Sequence, residues 1–321
     1  MAVNFVSHAL LNHLLVKNLH RIPHDIDVVV GVPRSGLILA NMISCYINKP
    51  LTDVSNVIAG KLFDSGDTKN KNGWARDFST VKKILVVEDS VASGNSINQV
   101  KKRLALVNVE KIYLAAFVEP GAVNMVDLFF AVVPQPRMFE WNFMHHTLLK
   151  KCCLDFDGVL CHDPTPEQND DGEKYRNFIL NAAPKFIPSR PIGYIVTARL
   201  KKYVEESAFW LQKHHVQFGS LIMLNLDSAE QRRALNIHAN FKANVYANIK
   251  DAVLFIESNP LQAQEIARLS GKQVYCVENS MTYRVGGGVI YMILFLLWGS
   301  LNGHCSFSCR RCKSSHGQHY K

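Results

Sequence analysis

Apolar residues in this chain fall in short unbroken runs, set apart by polar stretches that carry glycine and proline. That is the pattern of strands buried on both faces alternating with helices. In the first half the runs at 28–30, 51–54, 84–87, 112–117 and 128–133 read as strands. The segments 37–43 and 97–106 read as helices between them. Residues 1–21, whose apolar positions are broken by His8, His13, Lys17 and His20, read as an amphipathic helix. Strand–helix alternation of this kind calls for a parallel sheet. The second half repeats it, with strands expected at 150–154, 193–196 and 253–256 and Trp210 in a helix core. Between 60 and 80 the chain is polar, with Gly60, Gly66 and Gly73, and reads as a long surface loop.

The chemistry sits where strands end. After the run at 84–87 come two adjacent carboxylates, Glu88 and Asp89, then Ser90, Val91, Ala92, Ser93, Gly94, Asn95 and Ser96 before a helix. A small-residue turn at such a place aims backbone N–H groups and a helix N-terminus at one phosphate, and the acids can hold sugar hydroxyls or hydrated Mg2+. A phosphorylated sugar is the guest to expect. One strand earlier, Gly31-Val32-Pro33-Arg34-Ser35-Gly36 places a guanidinium between glycines, a second anion cradle.

Together these segments resemble type I phosphoribosyltransferases, the first being similar to their 5-phosphoribosyl diphosphate (PRPP) signature. The resemblance implies that Ser90 to Ser96 grip the 5-phosphate, Glu88 and Asp89 hold the ribose hydroxyls, and Gly31 to Gly36, with Mg2+, take the diphosphate. It also implies a loop near 60–80 that closes over the site, with Lys61, Lys69 and Arg76 as candidates for phosphate contact.

A second domain is expected from Lys150, where a strand runs into Asp155-Phe156-Asp157-Gly158-Val159-Leu160. Alternating carboxylates at a strand end allow one to attack while the next but one donates or accepts a proton. This segment resembles motif I of the haloacid dehalogenase (HAD) superfamily. The resemblance implies Asp155 as nucleophile and Asp157 as general acid/base. It further implies Thr197 as a phosphoryl-binding hydroxyl, Lys242 (with Lys250 as rival) as the neutralising cation, and Asp155, Asp157 and Glu257 around Mg2+. The chain departs from the family in offering a single acid, Glu257, where two are usual. Roughly 36 residues separate the first two motifs, too few for a large cap, so an open site suited to bulky phosphates is expected.

Composition adds bounds. The length of 321 residues exceeds one typical domain, and 48% hydrophobic content supplies ample core. Of the net charge of +9, residues 281–321 supply +5 from Arg284, Arg310, Arg311, Lys313 and Lys321, leaving +4 elsewhere with no basic, aromatic-interleaved stripe. Nucleic acid is therefore not an expected partner. The apolar run at 289–298 is half of the roughly 20 residues a membrane span needs. No signal peptide is apparent. The eight cysteines are scattered, which fits a reducing cytoplasm without disulfides. Cys305, Cys309 and Cys312 with nearby histidines resemble nothing assignable, and the adjacent pairs His145-His146 and His214-His215 read as linker or helix-end residues. Trp141 and Phe139 are expected to pack a domain junction.

The expected fold is thus α/β, two doubly wound parallel-sheet domains: a phosphoribosyltransferase fold over 1–147, a cap-poor HAD Rossmann-like fold over 148–280, and a poorly ordered tail over 281–321. The expected function is phosphoribosyl transfer from PRPP to an unidentified acceptor, coupled to a phosphatase that removes the 5-phosphate from a phosphate ester. Alternatives are a nucleobase-salvage enzyme of orotate or purine type with a nucleotidase domain, and a PRPP- or nucleotide-binding regulator without catalysis. The family resemblance also carries an expectation of a homodimer.

Overall fold

The computed structural model describes residues 3–64 and 78–284. Lys69 and Arg76, most of the 60–80 loop, and the apolar and cysteine-bearing parts of the tail lie outside them. A short strand, β1 (Asn4–Val6), leads into α1 (His8–Asn18), which is capped by the Ser7 hydroxyl accepting from the Leu10 N–H. The helix buries Leu11, Leu14 and Leu15, one face at helical spacing.

There follow β2 (Val28–Gly31), α2 (Gly36–Ile47), β3 (Leu51–Asp53), α3 (Val54–Ile58), β4 (Lys83–Val91), α4 (Asn95–Arg103), β5 (Glu110–Val118) and β6 (Leu128–Val132). The five strands form one parallel sheet in the order β3-β2-β4-β5-β6. Strand order reverses between β2 and β4, so the loops after these two strands open onto the crevice where doubly wound sheets bind ligands.

All five expected strands are present, with shifted ends. The strand expected at 84–87 runs on to Val91, because β5 continues alongside and pairs Glu88 with Ala115, Ser90 with Phe117 and Val91 with Val118. Glu88, Asp89, Ser90 and Val91 are therefore strand residues, and the turn is shorter than expected. The short strand at 51–54 stops at Asp53, whose carboxylate accepts from the Asn56 N–H and starts α3.

After β7 (Arg137–Phe139) the chain builds a second sheet. Its elements are β8 (Cys152–Leu154), α5 (Glu173–Asn181), β9 (Ile192–Leu200), α6 (Val204–Lys213), β10 (Phe218–Leu224), α7 (Ala229–Leu235), α8 (His238–Asn248), β11 (Leu254–Glu257), α9 (Pro260–Ser270), β12 (Val274–Cys276) and β13 (Met281–Tyr283). The order is β10-β9-β8-β11-β12-β13, parallel except for the edge strand β13. It reverses between β8 and β11, a second switch point. Between β8 and β9 stand only α5 and a single 3-10 turn, so no large cap is inserted between these two strands.

Both sheets belong to one compact unit spanning Met1–Tyr291. The second unit, Met292–Lys321, falls outside the described residues. A two-stranded parallel ribbon, β1 with β7, ties the sheets together. Side chains alternate across a strand, so Met138 enters the core of the second sheet while its neighbour Phe139 enters the first. Phe5 stacks on Tyr275 with centroids 4.1 Å apart. The expected boundary at 147 is thus bridged by residues from both ends of the first segment. Trp210 is fully buried, as expected. Cys152, Cys153, Cys161 and Cys276 are buried free thiols, whereas Cys45 is exposed on α2. Among the described residues no helix is long and apolar enough to cross a membrane.

Candidate functional sites

At the first switch point the two cradles meet. The Val32 N–H donates to the Val87 carbonyl at 2.9 Å, pinning the 31–36 loop against the end of β4. Gly36 sits so close that a Cβ there would lie 2.6 Å from the Val87 oxygen and 3.3 Å from a Glu88 carboxylate oxygen, which is why no larger residue fits. Pro33 and Arg34 are exposed at the tip, joined by a cis peptide. Gly94 adopts φ +78°, a left-handed conformation that suits glycine, at the start of α4. Ala92, Ser93, Asn95 and Ser96 are exposed around it.

Glu88 and Asp89 are buried side by side. The Ser96 hydroxyl donates to Glu88 at 3.0 Å. Burial, with the neighbouring Asp89 charge adding to it, pushes Glu88 up to about 8. Burial raises Asp89 as well, against a hydrogen bond from the Trp141 indole N–H at 2.9 Å. Trp141 was expected only to pack a junction. It does stack on Phe139, with centroids 4.9 Å apart, but it also orients one of the paired acids. Beside it Glu140 joins the two sheets: one oxygen accepts from the Tyr275 hydroxyl at 2.9 Å and the Ser280 hydroxyl at 2.6 Å, the other from the His8 N–H at 2.7 Å.

The second switch point gathers Asp155, Asp157, Thr197, Lys242 and Glu257 on the wall of one cavity of about 240 Å3. Asp155 follows β8, Thr197 lies in β9, Glu257 ends β11, and Lys242 reaches in from α8. The buried Lys242 ammonium donates to Asp155 at 2.6 Å, Glu257 at 2.8 Å and Gln262 at 3.0 Å. Its rival Lys250 is exposed in a turn. Burial raises Asp155, with Glu257 and Asp157 adding to it and Lys242 opposing. Asp157 is clamped by the fully buried Arg199, whose Nε and second terminal nitrogen donate at 3.0 and 2.6 Å. The same guanidinium lies over the Phe156 ring, 3.7 Å from its centroid.

Neither Arg199 nor the other cavity residues Asn169, Tyr175, Arg232 and His238 stood out as site residues in the sequence. Arg199 sits two positions beyond Thr197, a signal that was there to read. The rest belong to polar segments indistinguishable from surface. Five carboxylates on this wall (Asp155, Asp157, Asp163, Glu257, Glu278) outnumber its three permanent cations (Arg199, Arg232, Lys242). That excess and the raised Asp155 suit a hard divalent cation in kind. Among the described residues no three acidic, histidine or cysteine groups are arranged as a ready cradle, so water and phosphate oxygens would complete the shell.

Residues 7–145 match the family model described as Phosphoribosyl transferase domain. The first sheet with its two cradles is accordingly a phosphoribosyltransferase domain of type I. A 124-residue stretch is 27% identical to the transcriptional regulator GfcR of Methanococcoides burtonii, covering 38% of this chain and 58% of that relative's length. The purine phosphoribosyltransferase of Pyrococcus horikoshii Ot3 is 17% identical, with TM-score 0.33, over 44% of this chain and 94% of that one. The Helicobacter pylori xanthine-guanine-hypoxanthine phosphoribosyltransferase is 20% identical, with TM-score 0.33, over 43% of this chain and 92% of that one.

Proposed function

We propose that the first sheet transfers 5-phosphoribosyl from PRPP to an acceptor, releasing diphosphate, and that the second sheet is a HAD-type phosphatase acting on a phosphate ester in the cytoplasm. The transfer reading rests on one observation above others: the 31–36 loop is bonded directly to the strand end that carries Glu88 and Asp89. The acceptor's nucleophile forms a bond to C1 as the C1–O bond to diphosphate breaks. Positive charge grows on the ribose ring meanwhile, and the Glu88–Asp89 pair beside it favours that charge in its ionised state. The 31–36 backbone and Arg34 receive the departing diphosphate, and Ser93 to Ser96 with the start of α4 hold the 5-phosphate. Mg2+, when bound, neutralises diphosphate oxygens.

Lys242, held between Asp155 and Glu257, supports the phosphatase reading. An Asp155 oxygen attacks phosphorus and the ester P–O bond breaks. The leaving alkoxide takes its proton from Asp157. Water then attacks the phosphoryl-aspartate, returning a proton to Asp157 and releasing phosphate. Thr197 and Lys242 bind the transferring oxygens; Asp155, the Asp157 carbonyl and Glu257 would hold Mg2+, which would supply further charge neutralisation.

The test is diphosphate release from PRPP and Mg2+ over nucleobases and ribose-accepting glycans, for wild type and Asp89→Asn. Release with one acceptor class, lost in the variant, supports transfer and separates a nucleobase-salvage enzyme from other transferases. PRPP binding without release under every acceptor favours a regulator instead, the reading that the name of the Methanococcoides burtonii relative supports.

A further inference from the structure

The cavity of the second site extends past the five groups that the phosphatase reading uses. Asn169, Tyr175, Arg232 and His238 line it as well. Arg232 is only 8% exposed. One terminal nitrogen donates to the Ala198 carbonyl at 2.7 Å, yet its Nε–H, buried, meets no acceptor. On the same cavity the Asn169 side-chain oxygen is buried and meets no donor. Buried polar atoms are nearly always paired. An unpaired donor and an unpaired acceptor on one cavity wall mark where a ligand completes both bonds.

We propose that Arg232 and Asn169 form a subsite for the hydroxyl-bearing remainder of the phosphate ester, making the second site selective for sugar phosphates over esters of plain alcohols or phenols. The proposal rests on the phosphatase reading and names the substrate class of that site. A hydroxyl accepts and donates at once, so the hydroxyls of a sugar ring offer an acceptor to the Nε–H and a donor to the side-chain oxygen. A plain alkyl or aryl group satisfies neither and leaves both stranded, the kind of mismatch that discriminates most strongly between substrates. Burial, with Arg232 and Lys242 adding to it, lowers His238 to about 4, so it stands in the subsite as a neutral imidazole at pH 7. A volume of about 240 Å3 falls below the range of about 300–1,000 Å3 for drug-sized ligands. It matches one sugar ring with its phosphate. Ribosyl transfer from PRPP leaves such a group, a ribose carrying a 5-phosphate.

The experiment compares kcat/KM for ribose 5-phosphate and p-nitrophenyl phosphate, with Mg2+, in wild type, Asn169→Leu and Arg232→Met. Loss of a hydrogen bond of this kind lowers kcat/KM for ribose 5-phosphate roughly 10- to 100-fold, with the aryl ester held within about 3-fold. Equal losses on both esters, or none on ribose 5-phosphate, overturn the subsite. Arg232 also anchors the Ala198 carbonyl, so Asn169→Leu, which removes an oxygen with no partner in the fold, is the deciding variant. If wild type hydrolyses neither ester, the phosphatase reading fails by itself. Calorimetric titration of ribose 5-phosphate into the same proteins then decides the subsite. Wild-type binding that weakens at least 10-fold in Asn169→Leu sustains it, and equal or absent binding overturns it.

Discussion

Lys242→Met keeps the length of the side chain and removes its charge. Lys242 is 2% exposed as a side chain, and its partners Asp155 and Glu257 are 8% and 0% exposed. The substitution therefore leaves two carboxylates in a dry setting with no cation between them. Breaking a buried pair from one side costs about 3–5 kcal/mol. For a protein of this size each kcal/mol moves Tm by roughly 2–4 °C, so a fall of roughly 10 °C is expected. The loss depends on pH in a stated direction. Without the ammonium the folded-state pKa of Asp155, already raised by burial from 3.8 to about 8, rises further. The contribution of this carboxyl is intact below its unfolded value and is lost as pH climbs to the folded one, so wild type stops losing stability near 8 while the variant goes on losing it above. The gap to wild type should therefore be narrower at pH 7 and wider at pH 9. Thermal denaturation followed by circular dichroism at both pH values measures it. A Tm within about 2 °C of wild type at pH 9, or a gap unchanged between the two pH values, would show that Lys242 does not hold these carboxylates as described.

Glu88 is raised to about 8 from 4.5, so the native state holds its proton through that window and stability falls as pH rises across it. Glu88→Gln should flatten the decline and be more stable by about 1–3 kcal/mol at pH 8, and urea unfolding at pH 5 and 8 with wild-type slopes would contradict this. Trp141→Phe removes the N–H that holds Asp89, and diphosphate release should drop about 10-fold with PRPP and Mg2+, a wild-type rate arguing against orientation by the indole. Gly36→Ala presses a methyl against the Val87 carbonyl, 2.6 Å away, and should weaken PRPP binding by about 10-fold or more. Unchanged calorimetric affinity would mean the loop accommodates it elsewhere.

Contiguous residues were enough to place both sheets and most of the polar residues gathered at their strand ends. An apolar run, an acid at its end and a small-residue turn are local, and local steric and hydrogen-bond preferences settle them before any distant contact forms. Gly31 to Gly36, Glu88 to Ser96, and Asp155 with Asp157 were legible for that reason. Element ends were less so, because the length of β4 depends on how far β5 extends beside it. The convergence of Lys242 on Asp155 and Glu257 spans 87 and 15 positions, so only folding decides it. The same holds for the Trp141 bond to Asp89 across 52 positions and for Glu140 joining Tyr275 across 135. Asn169 and Arg232 look like solvated surface in the sequence and become a cavity wall only when α5, β9 and α7 pack together. Which polar group is left unpaired is a property of the assembled surroundings. No stretch of sequence carries it alone.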